Sequence, residues 1–226
     1  MIKAVFFDLD ETMADSLSSH LKATRLVFEK FGYDYELIRE NAKGVDFMGR
    51  RISDILLISR DLSNISEKEL PINKLIQIRE KYLLDLVMDE TIICPGVIEM
   101  LRKLKELNKV VAIVSSGSKK YIDLVLYKFK LEKFIDFIIS GDQVKRGKPD
   151  PECYEHAYKY LNINYGQFSK KECLVIEDTE NGVIAASKSG LKILLVPSKF
   201  SVLPRSIKPD YTLKSLEQFD ILTHLF

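Results

Sequence analysis

Residues 3–12 read KAVFFDLDET: an apolar run, Ala4-Val5-Phe6-Phe7, closed by Asp8, with Asp10 and Thr12 just beyond it. A run with β-branched and aromatic content and no polar alternation offers no face to water, so Lys3–Asp8 is predicted to be a parallel strand covered on both sides. The same signature recurs at Lys109–Val114 (KVVAIV), Phe134–Ile139 (FIDFII), Cys173–Ile176 (CLVI) and Lys192–Val196 (KILLV), each followed by a polar or Gly/Pro-bearing turn.

Between these runs the period changes to that of helices. Val97–Leu107 has apolar residues at 97, 98, 101, 104 and 107, and Lys120–Phe129, Pro151–Leu161 and Gly182–Ser189 follow suit. Strand and helix in regular alternation imply an α/β fold with a doubly wound parallel sheet. One stretch breaks the alternation. From Leu17 to about Met88 only helical patterns are found, over Leu17–Phe31, Arg50–Leu62 and Glu67–Val87, and these predict an inserted all-helical domain. The expected division is 1–16 with 89–226 for the sheet domain and 17–88 for the insertion. Cys94-Pro95-Gly96 marks the return, and the two crossings near 13–17 and 88–95 read as a hinge.

Composition narrows the function classes. The 226 residues carry 34 Lys+Arg against 33 Asp+Glu, a formal charge of +1, with 46% hydrophobic and 30% charged residues. This is an ordinary globular balance, with no electrostatic footprint for nucleic acid or for a membrane surface. Cys94, Cys153 and Cys173 are widely spaced with no CxxC, so they read as reduced thiols rather than a disulfide framework or zinc site. No apolar run reaches spanning or signal length. The expected setting is the cytoplasm and the expected state a monomer.

Open α/β sheets bind ligands at the carboxyl ends of their strands. The residues just past the runs are Asp8, Asp10 and Thr12; Ser115 and Ser116; Glu177 and Asp178; a further loop, Gly147-Lys148-Pro149-Asp150-Pro151, leads into a helix. These types suit phosphoryl transfer. Converging carboxylates need a cation, and hard oxygen ligands suit Mg²⁺. One carboxylate can serve as nucleophile and a second, two residues on, as acid and base, while a hydroxyl and a lysine hold the phosphoryl oxygens.

With these residues in order along essentially the whole chain, the sequence resembles the haloacid dehalogenase superfamily. FFDLDET at 6–12 is similar to its first motif, which implies Asp8 as nucleophile and Asp10 as general acid/base. AIVSS at 112–116 resembles the second, with Ser115 binding phosphate, and Lys148 in GKPDP the third. IEDTENG at 176–182 resembles the fourth, with Asp178 as metal ligand and Glu177 as its supporting acid. The resemblance implies a metal set of Asp8, Asp10, Asp178 and Glu177 and the helical insertion as a type one cap. ADS at 14–16 with His20 is similar to the beta-phosphoglucomutase and phosphoglycolate phosphatase branch. Asp10 disfavours carbon–halogen cleavage. Glu11 departs from the pattern, standing where most relatives have Gly, which bears on backbone strain and on charge at the entrance.

The expected activity is Mg²⁺-dependent hydrolysis of a small phosphorylated metabolite of the sugar phosphate or phosphoglycolate type, with a sugar phosphomutase as alternative and a silent binding module as a third. Mutases of the branch carry a cap lysine that an ungapped placement puts at Ile78, which favours hydrolysis. Ser116, Gly117, His20 and Arg50 are candidate substrate-binding residues. Asp15 and Ser16 read as the N-cap of the first inserted helix, and Asp178 could also be a helix cap. Arg50, Arg51 and Arg79 read as solvated arginines or contacts to a second anionic group, and Lys170 and Lys171 as surface charge.

Overall fold

The computed structural model describes residues 1–201 and 207–226. Its centre is a six-stranded sheet in which β1 (Ala4–Phe7) lies between β4 (Val110–Val114) and β6 (Cys173–Glu177). Beyond β4 lies β5 (Phe137–Ile139), and beyond β6 lie β7 (Lys192–Leu195) and β8 (Tyr211–Thr212), all parallel. Two further strands, β2 (Ala14–Asp15) and β3 (Ile92–Ile93), pair antiparallel where the chain leaves and rejoins the sheet.

The apolar runs follow from burial on both faces. Val5 and Phe7 join Val111, Ile113, Leu174 and Ile176 on one side, while Ala4 and Phe6 join Ala112, Val114, Cys173 and Val175 on the other. The first face is covered by α5 (Val97–Glu106), α6 (Lys119–Phe129) and the 3₁₀ segment Leu216–Leu225. The second is covered by α7 (Glu152–Asn164) and α8 (Glu180–Lys188). Burying each β1 phenylalanine contributes about 1.5–3 kcal/mol, so the strand that leads into Asp8 is also central to the core.

Where the structure departs from the sequence reading, side chains explain it. The run FIDFII does not start a strand at Phe134, because the Asp136 carboxylate accepts from the Val111 amide at 2.7 Å and pairs with Lys105 at 2.6 Å. Glu132–Phe134 is a 3₁₀ turn instead. The two-residue β8 was not anticipated, since so short a segment shows no period.

Residues 17–90 hold α1 (Leu17–Lys30), α2 (Tyr35–Asn41), α3 (Ile52–Leu62) and α4 (Ile72–Glu90). They share an apolar cluster that includes Val27, Phe28, Tyr35, Leu56 and Leu75. The helix α2 was missed; Asp34 caps it, accepting from the Glu36 amide at 2.9 Å. Pro71 delays α4 to Ile72, later than the expected Glu67. The lower part of α4 is shared, because Leu83 and Val87 pack into the cluster on the first sheet face. Among the described residues no helix is long and apolar enough to cross a membrane.

Candidate active site

The chain puts its charged residues where the sheet order reverses, at the carboxyl ends of β1 and its two neighbours. Asp8 follows β1, held by its amide to the Ile176 carbonyl at 3.0 Å. Lys148, in the loop before α7 and almost fully buried, donates to Asp8 Oδ1 at 2.5 Å, to Glu177 Oε1 at 2.6 Å and to the Val114 carbonyl at 3.2 Å. Glu177 ends β6 with no exposure at all. Its Oε1 also accepts from the Tyr154 hydroxyl at 2.6 Å, and its Oε2 from the Asp178 amide at 3.3 Å and Thr179 Oγ1 at 3.2 Å. Gly182 makes this possible, since a Cβ there would lie 2.0 Å from the Glu177 carboxyl carbon.

One lysine does not balance three carboxylates. Asp8, Glu177 and Asp178 each offer an oxygen within 4.8 Å of the others. Burial, then repulsion from Asp8 and Glu177, pushes the Asp178 carboxyl well up. Burial also raises Asp8 against the pull of Lys148, with Glu177 and Asp10 adding to it. Burial alone would lower Lys148, but Asp8 and Glu177 hold it well above its ordinary value and so charged. Asp178 Oδ1 is buried with no partner among the described residues, and its Oδ2 accepts from Ser201 Oγ at 3.3 Å. Buried orphan acceptors and excess negative charge from hard oxygens fit Mg²⁺. Glu177 has both oxygens engaged by the chain, one of them by Lys148.

Asp10, expected in the metal set, is not part of that cluster. Its Oδ1 accepts from Ser16 Oγ at 2.6 Å and from the Tyr121 hydroxyl, with His20 Nε2 3.2 Å away. Burial works to raise this carboxyl, but His20 and the bonds from Ser16 and Tyr121 outweigh it and hold it at about 2. Arg79 NH2 lies 2.8 Å from His20 Nδ1. A guanidinium has only donors, so Nδ1 is the acceptor in this contact, and Nε2 faces Asp10.

Above these groups a cavity of about 1000 Å³ separates the sheet from the inserted helices. Asp8, Asp10, His20, Arg50, Ser116 and Gly117 line it, whereas Ser115, Lys148, Glu177 and Asp178 stand behind the lining, buried. Ser115 Oγ accepts from the Gly117 amide at 3.0 Å, which shapes the turn after β4. The Ser116 hydroxyl, a candidate for substrate, donates instead to the Gly49 carbonyl of the insertion at 2.7 Å. Asn181 reaches the same loop, donating to Asp46 Oδ2 at 3.0 Å and the Met48 carbonyl at 2.7 Å.

The arginines separate. Arg50 donates Nε to the Asp46 carbonyl at 2.8 Å and faces the cavity. Arg51 pairs with Asp54 and reaches the Val144 carbonyl at 2.9 Å. Arg79 is not solvated but 2% exposed between His20 and Thr24, and burial draws it down to about 10. The expected cap at Ser16 is also corrected. Ser16 occupies the N-cap position but makes no capping bond with its hydroxyl, and α8 is capped by Thr179 rather than Asp178. Tyr121, Tyr154 and Asn181 were not singled out in the sequence: the two tyrosines sit within ordinary helical patterns and Asn181 within IEDTENG, and each meets its partners only across the fold.

The family model of the haloacid dehalogenase-like hydrolases matches residues 5–196. The chain belongs to this family. It is 30% identical over 192 residues to a phosphorylated carbohydrates phosphatase of Thermotoga maritima, covering 84% of this chain and 83% of that protein. A (DL)-glycerol-3-phosphatase of Arabidopsis thaliana is 26% identical over 223 residues, covering 96% and 89%. Among solved structures, CbbY from Rhodobacter sphaeroides with bound phosphate superposes with a TM-score of 0.80 at 23% identity, covering 97% of this chain and 96% of that one. This haloacid dehalogenase-like protein is a phosphoric monoester hydrolase with the parallel-sheet fold of its family.

Proposed function

We propose that the protein is a Mg²⁺-dependent phosphatase of a small phosphorylated metabolite, of the sugar phosphate or glycerol phosphate type, acting through an aspartyl phosphate on Asp8. The observation that carries the reading is the pairing of Asp8 with a buried Lys148 beside the partnerless oxygen of Asp178. The substrate class rests on the named activities of the relatives. In this reading residues 17–88 are the cap, and 1–16 with 89–226 the catalytic core.

Asp8 attacks phosphorus, and the leaving alkoxide takes a proton from Asp10; water then attacks the aspartyl phosphate, Asp10 takes its proton, and inorganic phosphate leaves. The ionised resting state of Asp10 suits the second half-reaction. For the first, a phosphate dianion entering beside it raises its affinity for the proton it must donate. Lys148 and the turn at Ser115–Gly117 hold phosphoryl oxygens, with Glu177 keeping the ammonium in place. Mg²⁺, held by Asp8 and Asp178, would supply charge neutralisation between nucleophile and phosphate. Helices closed over the cavity exclude bulk water.

A mutase needs a hold on a second phosphate. Arg79, next to Ile78, is committed to His20 and Thr24, which supports hydrolysis. The test is inorganic phosphate release from sugar phosphates, glycerol phosphates, phosphoglycolate and p-nitrophenyl phosphate, with Mg²⁺ and with chelator. Metal-dependent release is expected, and Asp8→Asn is expected to lower it by at least about 10³-fold while the protein stays folded. Isomer exchange with little free phosphate would point to the mutase instead.

A further inference from the structure

Glu11 sits in the left-handed region at φ 60°, in the turn between the catalytic aspartates and the first inserted helix. Its amide donates to the Ala14 carbonyl at 2.7 Å, closing that turn. Its carboxylate Oε1 accepts from two amides, Ser16 and Leu17, both at 2.9 Å. These are among the donors that the start of α1 leaves without helical partners. The first turn of α1 holds no acidic residue, so Glu11 also supplies the negative charge that a helix N-terminus favours.

The neighbouring serine shows why this matters. A serine at the N-cap ordinarily turns its oxygen back to an amide of its own first turn. Ser16 makes no such bond, and its hydroxyl instead donates to Asp10 Oδ1 at 2.6 Å. Glycine at position 11 would satisfy the backbone at φ 60° but leave the Ser16 and Leu17 amides without their acceptor. The start of α1 also carries His20, whose amide bonds to the Ser16 carbonyl at 3.0 Å and whose ring faces Asp10.

We infer that Glu11 is a positioning residue for the reaction: by holding the Ser16 and Leu17 amides it fixes the backbone from which the Ser16 hydroxyl reaches Asp10. This rests on Asp10 being the acid/base of the proposed hydrolysis. The left-handed turn, the double acceptor and the uncapping serine form one device, in which a residue outside the reacting set decides the orientation of one inside it.

The test is a cycle of Glu11→Gly, Ser16→Ala and the double variant, with Glu11→Gln beside them. Glycine suits the backbone at this position, so folding is expected to survive. Glu11→Gly is expected to speed hydrogen exchange at the Ser16 and Leu17 amides and to lower kcat about tenfold, with KM within about twofold. Glu11→Gln, which keeps an acceptor oxygen, is expected to restore most of kcat. In the Ser16→Ala background Glu11→Gly should lower kcat by no more than about twofold, because its effect passes through the missing hydroxyl. Faster exchange with unchanged kcat, or full additivity in the cycle, overturns the proposal and leaves Glu11 a structural cap. A folded wild type inert toward every phosphomonoester overturns the hydrolase reading and takes this proposal with it, whereas an active wild type with an additive cycle overturns this proposal alone.

Discussion

The floor and the wall of the cavity are built differently. The floor of Asp8, Lys148, Glu177 and Asp178 comes from the ends of strands and one loop of the sheet domain, is buried, and is closed by short ionic bonds. The wall of Asp10, Ser16, His20, Tyr121 and Arg79 is drawn from the catalytic turn, α1, α4 and α6. The floor takes no side chain from the inserted helices, while the wall takes His20 from α1 and Arg79 from α4. Buried charge is concentrated in the first, and in the proposed hydrolysis the proton transfers fall to the second.

The strongest way to break the floor is steric. Gly182→Ala places a methyl 2.0 Å from the Glu177 carboxyl carbon, so either α8 or Glu177 must move. A loss of about 1–3 kcal/mol or more in urea unfolding is expected, together with loss of turnover as Lys148 is displaced. If stability and activity both survive, the tight approach of α8 is not what holds the lysine.

Glu177→Gln sharpens the assignment of roles within the floor. If Glu177 works by orienting Lys148, kcat falls about 10–100-fold while the Mg²⁺ concentration for half-maximal activity stays near the wild-type value. A large rise in that concentration would make Glu177 a ligand instead.

Tyr121→Phe tests the wall through its acid dependence. Asp10 is held at about 2, below its ordinary value, so the stability it contributes is complete above about pH 4 and is lost as pH falls towards 2. Removing the Tyr121 donor raises that carboxyl. The variant should be less stable than wild type by about 1 kcal/mol above pH 4, with the gap narrowing as pH falls. A gap independent of pH between 4 and 2.5 would show that Tyr121 contributes packing alone.

The smallest effect is expected at the clasp between the layers. Asn181→Ala removes the bonds to Asp46 and Met48, and KM is expected to rise a few-fold for substrates that reach the inserted helices, with kcat little changed. A simple aryl phosphate should show no change. Equal effects on both would place Asn181 at the phosphate site.

Legibility in the sequence follows the same division. Asp8, Lys148 and Asp178 could be read because a buried parallel strand announces itself as an apolar run and its end is where ligands bind. The strand at Phe134 was read too long because Asp136, which looks like an interruption, is a cap for a neighbouring strand. Tyr121 could not be read, since the α6 pattern marks it only as a core position, yet its hydroxyl emerges beside Asp10. Arg79 looked like surface charge because the acceptors around it, His20 and Thr24, lie on another helix.

From the chain alone came the sheet, its helical insertion, the order of the motifs and the chemistry those residue types can perform. All of these depend on periodicity and on residues adjacent to strand ends, which are local properties. Only the tertiary structure decided that the Asp10 carboxylate faces Ser16, Tyr121 and His20, that Ser16 holds that carboxylate while Glu11 holds the start of its helix, and that Ser116 fastens the insertion. Each of those outcomes is a competition among donors and acceptors brought together from distant positions, and a linear pattern carries no record of which partner wins.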